Sequence, residues 1–216
     1  MSSLSAKLLY NISVDVFAPG GLIESWRGVR DVYILAPGPS ADYSLLPRNM
    51  YIPEVRVIAV NAAVNMIPPV VKAYPNAWLV ADRHAPETDW WPSGKLNFLP
   101  PHVFSADIPD SEHTFQQSPA LGGTAGAGCI HGTLRCNGTV VAQAIQLAYW
   151  AGAERCILNG CDMYGDHYYN GTKVYDGRKV WRYVDHINPL INWIHRNGKM
   201  RVTSQTKTEL AIGCNA

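Results

Sequence analysis

Five short apolar runs, rich in β-branched residues, punctuate the chain: Val32–Ala36, Val55–Val60, Ala77–Ala81, Cys156–Gly160 and Met200–Thr203. Their side chains are nearly all apolar rather than alternating with polar ones. That pattern predicts strands covered on both faces, as in a parallel sheet. Four of the runs end in residues that favour turns or carry polar groups. The first leads into Pro37-Gly38-Pro39-Ser40, the second into Asn61, the third into Asp82 and the fourth into Cys161-Asp162.

Between the runs the apolar period changes. Val141, Ala144, Ile145 and Ala148 fall at i, i+3, i+4 and i+7, a single stripe on a helix. Asn137 or Thr139 can cap its start and Gly152 stands where a left-handed stop is expected. Ala153-Glu154-Arg155 then forms a short connection into the run at Cys156. A second helix is predicted over Ile187–Arg196, with Pro189 in its first turn and Asn197-Gly198 at its end. Residues 62–74 read as a further helix interrupted by Pro68-Pro69, and Asn97-Phe98-Leu99 as a strand. Strands alternating with helices imply one α/β domain over residues 1–216: a Rossmann-like, doubly wound, mostly parallel sheet with helices on both faces. Residues 1–29 read as an N-terminal extension. Residues 163–182, aromatic and polar without a period, read as a lid.

Composition narrows the function. The chain is 47% hydrophobic and 16% charged, enough apolar content for a full core. Eighteen Lys+Arg against 17 Asp+Glu give a net charge of +1, and no basic run occurs, which argues against general binding of nucleic acid. No stretch approaches the roughly 20 apolar residues of a membrane span. The start lacks the layout of a signal peptide, so a cytoplasmic location is expected. Five cysteines without a CxxC pair fit neither a disulfide framework nor a zinc ribbon.

Ligands of open α/β sheets bind at the carboxyl ends of the strands. Gly38, Pro39, Ser40, Asn61, Asp82, Gly160 and Asp162 are therefore the candidate nucleotide-binding residues. Gly38 would let the backbone approach the ligand closely. The turn is neither GxGxxG nor a phosphate loop, so no standard dinucleotide or Walker chemistry follows. The stretch Gly122–Gly128, then Arg135, Asn137 and Gly138 before the best helix, suits a phosphate or carboxylate, with Arg135 as the anion contact. Asp162 with Asp166 or His167 could hold Mg²⁺, though the spacing matches no recognised metal motif. Among the histidines, His195 reads as a surface residue. His186, next to Asp185 at the start of the late helix, is the better general-base candidate, ahead of His167 and His131.

In order, Ile34–Ser40, Val60-Asn61, the Asn137-Gly138 helix start and Leu158-Asn159-Gly160-Cys161-Asp162-Met163-Tyr164 resemble a known superfamily. It joins archaeal 6-hydroxymethylpterin diphosphokinase-like proteins with the bacterial sialyltransferases of glycosyltransferase family 42. The resemblance covers roughly residues 30 to 210. It implies a transferase using a nucleotide-activated donor, a CMP-type nucleotide or nucleotide-sugar, and a small-molecule or glycan acceptor. It also implies that Tyr164 and Tyr168 donate hydrogen bonds to the leaving phosphate. The sialyltransferase branch needs no metal; the diphosphokinase branch would use ATP and Mg²⁺. A non-catalytic nucleotide-binding module and a homo-oligomer are both compatible with the sequence. The chain departs from the sialyltransferase pattern at Pro37, where the family turn has Asn, and at Asn137, where it has Ser. From the diphosphokinase branch's His-x-His-Gly-Asp-Asn segment it retains only Ile130-His131-Gly132.

Overall fold

A computed structural model describes residues 13–48, 52–66, 75–91, 102–108, 112–119, 128–136, 139–163, 184–198 and 200–212. Its strands are β1 (Val14–Asp15), β2 (Asp31–Leu35), β3 (Val55–Val60), β4 (Ala77–Val80), β5 (His102–Ser105), β6 (His113–Phe115), β7 (Gln117–Pro119), β8 (Leu134–Cys136), β9 (Arg155–Asn159) and β10 (Arg201–Ser204). Eight of them form one sheet in the order β1-β6-β5-β4-β3-β2-β9-β10, and every pairing in it is parallel. β7 and β8 pair separately, also in parallel. The helices are α1 (Leu22–Ser25), α2 (Val140–Trp150) and α3 (Val184–Asn197). The Rossmann-like α/β architecture follows directly from the apolar runs, each of which lies within a residue of a strand.

Both faces of the sheet are covered, which is why its strands carry few polar positions. Val32 and Ile34 of β2, Ile58 and Val60 of β3, and Leu79 of β4 face the core that contains α2 and α3. The alternate residues Leu35, Val57, Ala59, Trp78 and Val80 face a second, smaller core. Short 3₁₀ turns at Asn61–Met66 and Ala85–Glu87 contribute to that side, with Trp90 and Trp91 packed against it. Complete burial of one such aliphatic side chain contributes about 1.5–3 kcal/mol.

Several local expectations change. The described part of the expected extension, residues 13–29, belongs to the domain. β1 pairs with β6 at the sheet edge, and Val16, Leu22, Trp26 and Val29 are buried in the larger core. In the 62–74 region a 3₁₀ turn over Asn61–Met66 replaces the start of the expected α-helix; residues 67–74 lie outside the described residues. α3 begins three residues before Ile187, so Pro189 sits inside the helix rather than in its first turn. A proline there cannot donate the N–H that would reach the Asp185 carbonyl. Thr139 caps α2 by accepting from the Val141 N–H at 3.2 Å, and Gly152 has the left-handed φ of +84° expected of the stop. The strand expected at Asn97–Leu99 and most of the expected lid (164–182) lie outside the described residues.

Candidate functional site

The chain leaves β2 toward β3 and continues outward to β6, then returns through α2 to place β9 on the other side of β2. The strand order therefore reverses between β2 and β9, the position where open α/β sheets form a ligand crevice. Past their carboxyl ends the two strands interlock. Ala36 N–H donates to the Asn159 carbonyl at 2.8 Å and Gly38 N–H to the Gly160 carbonyl at 2.9 Å. Ser40 N–H donates to Asp162 Oδ2 at 3.1 Å.

This contact explains both glycines. A Cβ on Gly38 would run into the Asp162 carboxylate and the Gly160 carbonyl; one on Gly160 would meet Ala36 and Ala41. Gly160 also has φ +69°, which disfavours any side chain. Gly38 thus serves strand-to-strand packing, and its small size is already explained without the ligand approach expected from the sequence.

Asp162 is 2% exposed, yet its Oδ1 has no hydrogen-bond partner among the described residues. The Ser40 hydroxyl beside it is likewise buried and unpartnered. On the far side of β2, Asn61 follows β3 at the level of Pro37. It adopts φ +47°, a left-handed conformation that Asn tolerates better than most residues. Its carbonyl accepts from the Trp78 indole at 3.0 Å, while its side-chain Oδ1 has no partner among the described residues. Buried polar groups are normally satisfied, so three such oxygens at one sheet edge mark a place suited to a polar ligand. A carboxylate, an amide oxygen and a hydroxyl can all accept. The site therefore favours ligand hydroxyl and amino groups over a phosphate.

Residues that the sequence reading did not single out hold this edge in place. Asn159, fully buried, accepts from the Asp42 N–H and donates to the Asp42 carbonyl, both at 2.9 Å. The segment after β10 then straps the end of β9. Gly160 N–H donates to Thr206 Oγ1 at 2.9 Å, Thr208 Oγ1 to the Cys161 carbonyl at 2.6 Å and Glu209 N–H to the Asp162 carbonyl at 2.9 Å. Ala211 N–H continues the strap to Asn188 Oδ1 on α3 at 2.9 Å. An Asn ending an apolar strand was the one visible signal. The strap depends on long-range pairing that no local pattern carries.

The other candidates are placed differently. Pro39 is exposed at the tip of the turn. Asp82 is exposed, and its carboxylate accepts from the His84 N–H at 2.9 Å, closing its own turn. Arg135 lies in β8 rather than in a loop. Its N–H donates to Gln146 Oε1 and its carbonyl accepts from Gln146 Nε2, both at 2.9 Å. No hydrogen bond or ion pair among the described residues joins it to the strand-end groups. His186 is exposed in the first turn of α3. His195 is exposed as expected, though its Nε2 accepts from the Val202 N–H at 3.0 Å. Asn137, Gly138, Tyr164, Asp166, His167 and Tyr168 lie outside the described residues. Burial pushes the thiols of Cys156 and Cys161 up and that of Cys129 up to about 12, so these three offer no thiolate at neutral pH. No described helix is long and apolar enough to cross a membrane.

Compared with protein-family models, with curated proteins and with solved structures, the chain matches none.

Proposed function

We propose that this chain is a transferase that binds a nucleotide-activated donor in the crevice between the carboxyl ends of β2 and β9. The reading is a sialyltransferase-like glycosyl transfer from a CMP-type donor. The observation that carries the nucleotide assignment is the buried Asp162 carboxylate, which has one oxygen engaged by Ser40 and the other without a partner. A nucleoside supplies the hydroxyl and amino donors that Asp162, Ser40 and Asn61 lack. Its phosphate would lie away from the carboxylate, toward the N-terminal end of α2. That helix precedes a parallel strand, so it opens at this same edge, where its dipole favours an anion.

In the proposed step the acceptor hydroxyl oxygen bonds to the anomeric carbon of the donor sugar as the bond to the phosphate oxygen breaks. The nucleoside monophosphate leaves with the electron pair, and the hydroxyl proton passes to His186. Tyr164 and Tyr168 are the proposed donors to the departing phosphate.

Calorimetric titration with CMP, CMP-sugars, UDP- and GDP-sugars, ATP and pterins, each with Mg²⁺ and with EDTA, tests the reading. CMP or a CMP-sugar should bind in EDTA, and Asp162→Asn should weaken it at least about tenfold. Binding of ATP and a pterin only with Mg²⁺ would replace this reading with the diphosphokinase one. If none of these ligands binds the folded protein, the nucleotide assignment fails. With a donor in hand, His186→Ala should lower turnover by about 10² to 10⁴ with little change in donor affinity. Donor binding without turnover would leave a nucleotide-binding module.

A further inference from the structure

A second set of unsatisfied groups lies on and just before β8, and its charged member is a cation where that at the strand ends is a carboxylate. Arg135 is 8% exposed, and its Nε and Nη1 are shut off from solvent. Among the described residues its Nε and Nη1 have no hydrogen-bond partner, and no Asp or Glu forms an ion pair with it. An arginine keeps its charge at physiological pH, so it cannot relieve this burial by losing a proton. Leaving a charge buried and unpaired costs several kcal/mol.

Thr133, immediately before β8, also has a buried hydroxyl without a partner. It stands two residues from Arg135, the spacing that puts alternate side chains of an extended segment on one face. The guanidinium can only donate, and the Thr133 hydroxyl can donate as well as accept. The Cys129 thiol feels the Arg135 charge, but burial keeps it protonated, so it is no counter-ion. The backbone of Arg135 is fixed on both its N–H and its C=O by Gln146, itself fully buried on α2. The guanidinium is thus carried on a rigid base, as a preorganised binding group should be.

We propose that Thr133 and Arg135 form an anion site, separate from the strand-end crevice, that takes the carboxylate or phosphate-type oxyanion of a small molecule. The fork of the guanidinium suits two oxygens of one such group, and the threonine hydroxyl supplies a further donor. This site stands whether or not the crevice binds a nucleotide.

Thermal denaturation in a low-salt buffer, with phosphate or acetate added at constant ionic strength, tests it. At about 100 times the dissociation constant, the anion should raise the melting temperature by roughly 5–10 °C and the response should saturate. A response to phosphate alone identifies a tetrahedral oxyanion as the ligand; a response to acetate as well identifies a site that also takes carboxylates. Arg135→Met should abolish the response. In the low-salt buffer it should melt no lower than the unmodified protein, because it removes an uncompensated charge while keeping an apolar chain. Thr133→Val, close in shape to threonine, should weaken phosphate about tenfold. Asp162→Asn should leave the phosphate response intact. The inference is overturned if neither anion stabilises the protein, if Arg135→Met responds as before, or if that variant melts well below the parent without anion. Loss of the phosphate response in Asp162→Asn would instead merge the two sites and overturn their separation.

Discussion

The adjacent strands β2 and β9 carry a buried carboxylate at each end, and the two are treated in opposite ways. At the amino end Asp31, 2% exposed, gives both oxygens to Arg155, whose Nε and Nη2 lie 2.6 Å away. At the carboxyl end Asp162, equally buried, has one oxygen on the Ser40 N–H and the other without a partner among the described residues. The Arg155 hydrogen bonds hold the Asp31 carboxyl below its ordinary range despite its burial. Asp31 pins two strands, while Asp162 is held in place and left unfinished. Equal exposure therefore says nothing about role; hydrogen-bond satisfaction separates a structural carboxylate from a candidate binding one.

The sharpest way to break this comparison is to separate the interlocked strand ends. Gly38→Ala places a Cβ against the Asp162 carboxylate and the Gly160 carbonyl, so a loss of about 3 kcal/mol is expected in urea denaturation. A variant as stable as the parent would show that the turn can move away. Next in size, Asp31→Asn should cost about 2 kcal/mol, because it removes the charge that Arg155 engages. Asp162→Asn should change stability by less than about 1 kcal/mol, since the amide oxygen can still accept from Ser40 and the uncompensated charge is gone. Comparable losses in the two Asn variants would remove the distinction drawn between them.

Acid titration of stability sharpens the same contrast. The Asp31 carboxyl is depressed from 3.8 in the folded chain, so the unfolded chain binds protons first as pH falls. Its contribution is complete above that value and is lost as pH falls through the lower, folded one. Asp31→Asn should flatten this acid limb of the stability curve, an effect read by denaturation at pH 2 to 6.

The sequence made the central strands legible because each is an apolar run of four to six residues with a polar stop. Ile34, Ile58 and Leu79 show up in any reading of hydrophobic pattern. β1, β5 and β6 did not: Val14–Asp15, His102–Ser105 and His113–Phe115 are two to four residues long and mix apolar with polar side chains. β1 is placed by pairing with β6, far away in the chain, while β5 and β6 pair with each other and join it to β4. At the site, Asp162 and Asn61 were visible as strand-end polar residues. Whether their oxygens would be satisfied depended on Ser40, 122 residues from Asp162, and on Trp78. The sequence offered Arg135 as an anion contact ahead of α2 and gave no sign of a strand there. Its place in β8 follows from pairing with β7 and from the side chain of Gln146, neither of which has a local signature.

The strap over β9 has a consequence for the order in which a ribosome would build this molecule. Synthesis runs from the N-terminus, and domains form as their parts emerge. The strands flanking the crevice are complete once Asn159 has been added, but Thr206, Thr208 and Glu209 come more than forty residues later. A nascent chain stalled between these points would leave the Gly160 N–H and the Cys161 and Asp162 carbonyls without the partners they have in the finished fold. The crevice therefore becomes rigid only once the strap has been added, and ligand binding should report its arrival rather than the pairing of β2 with β9.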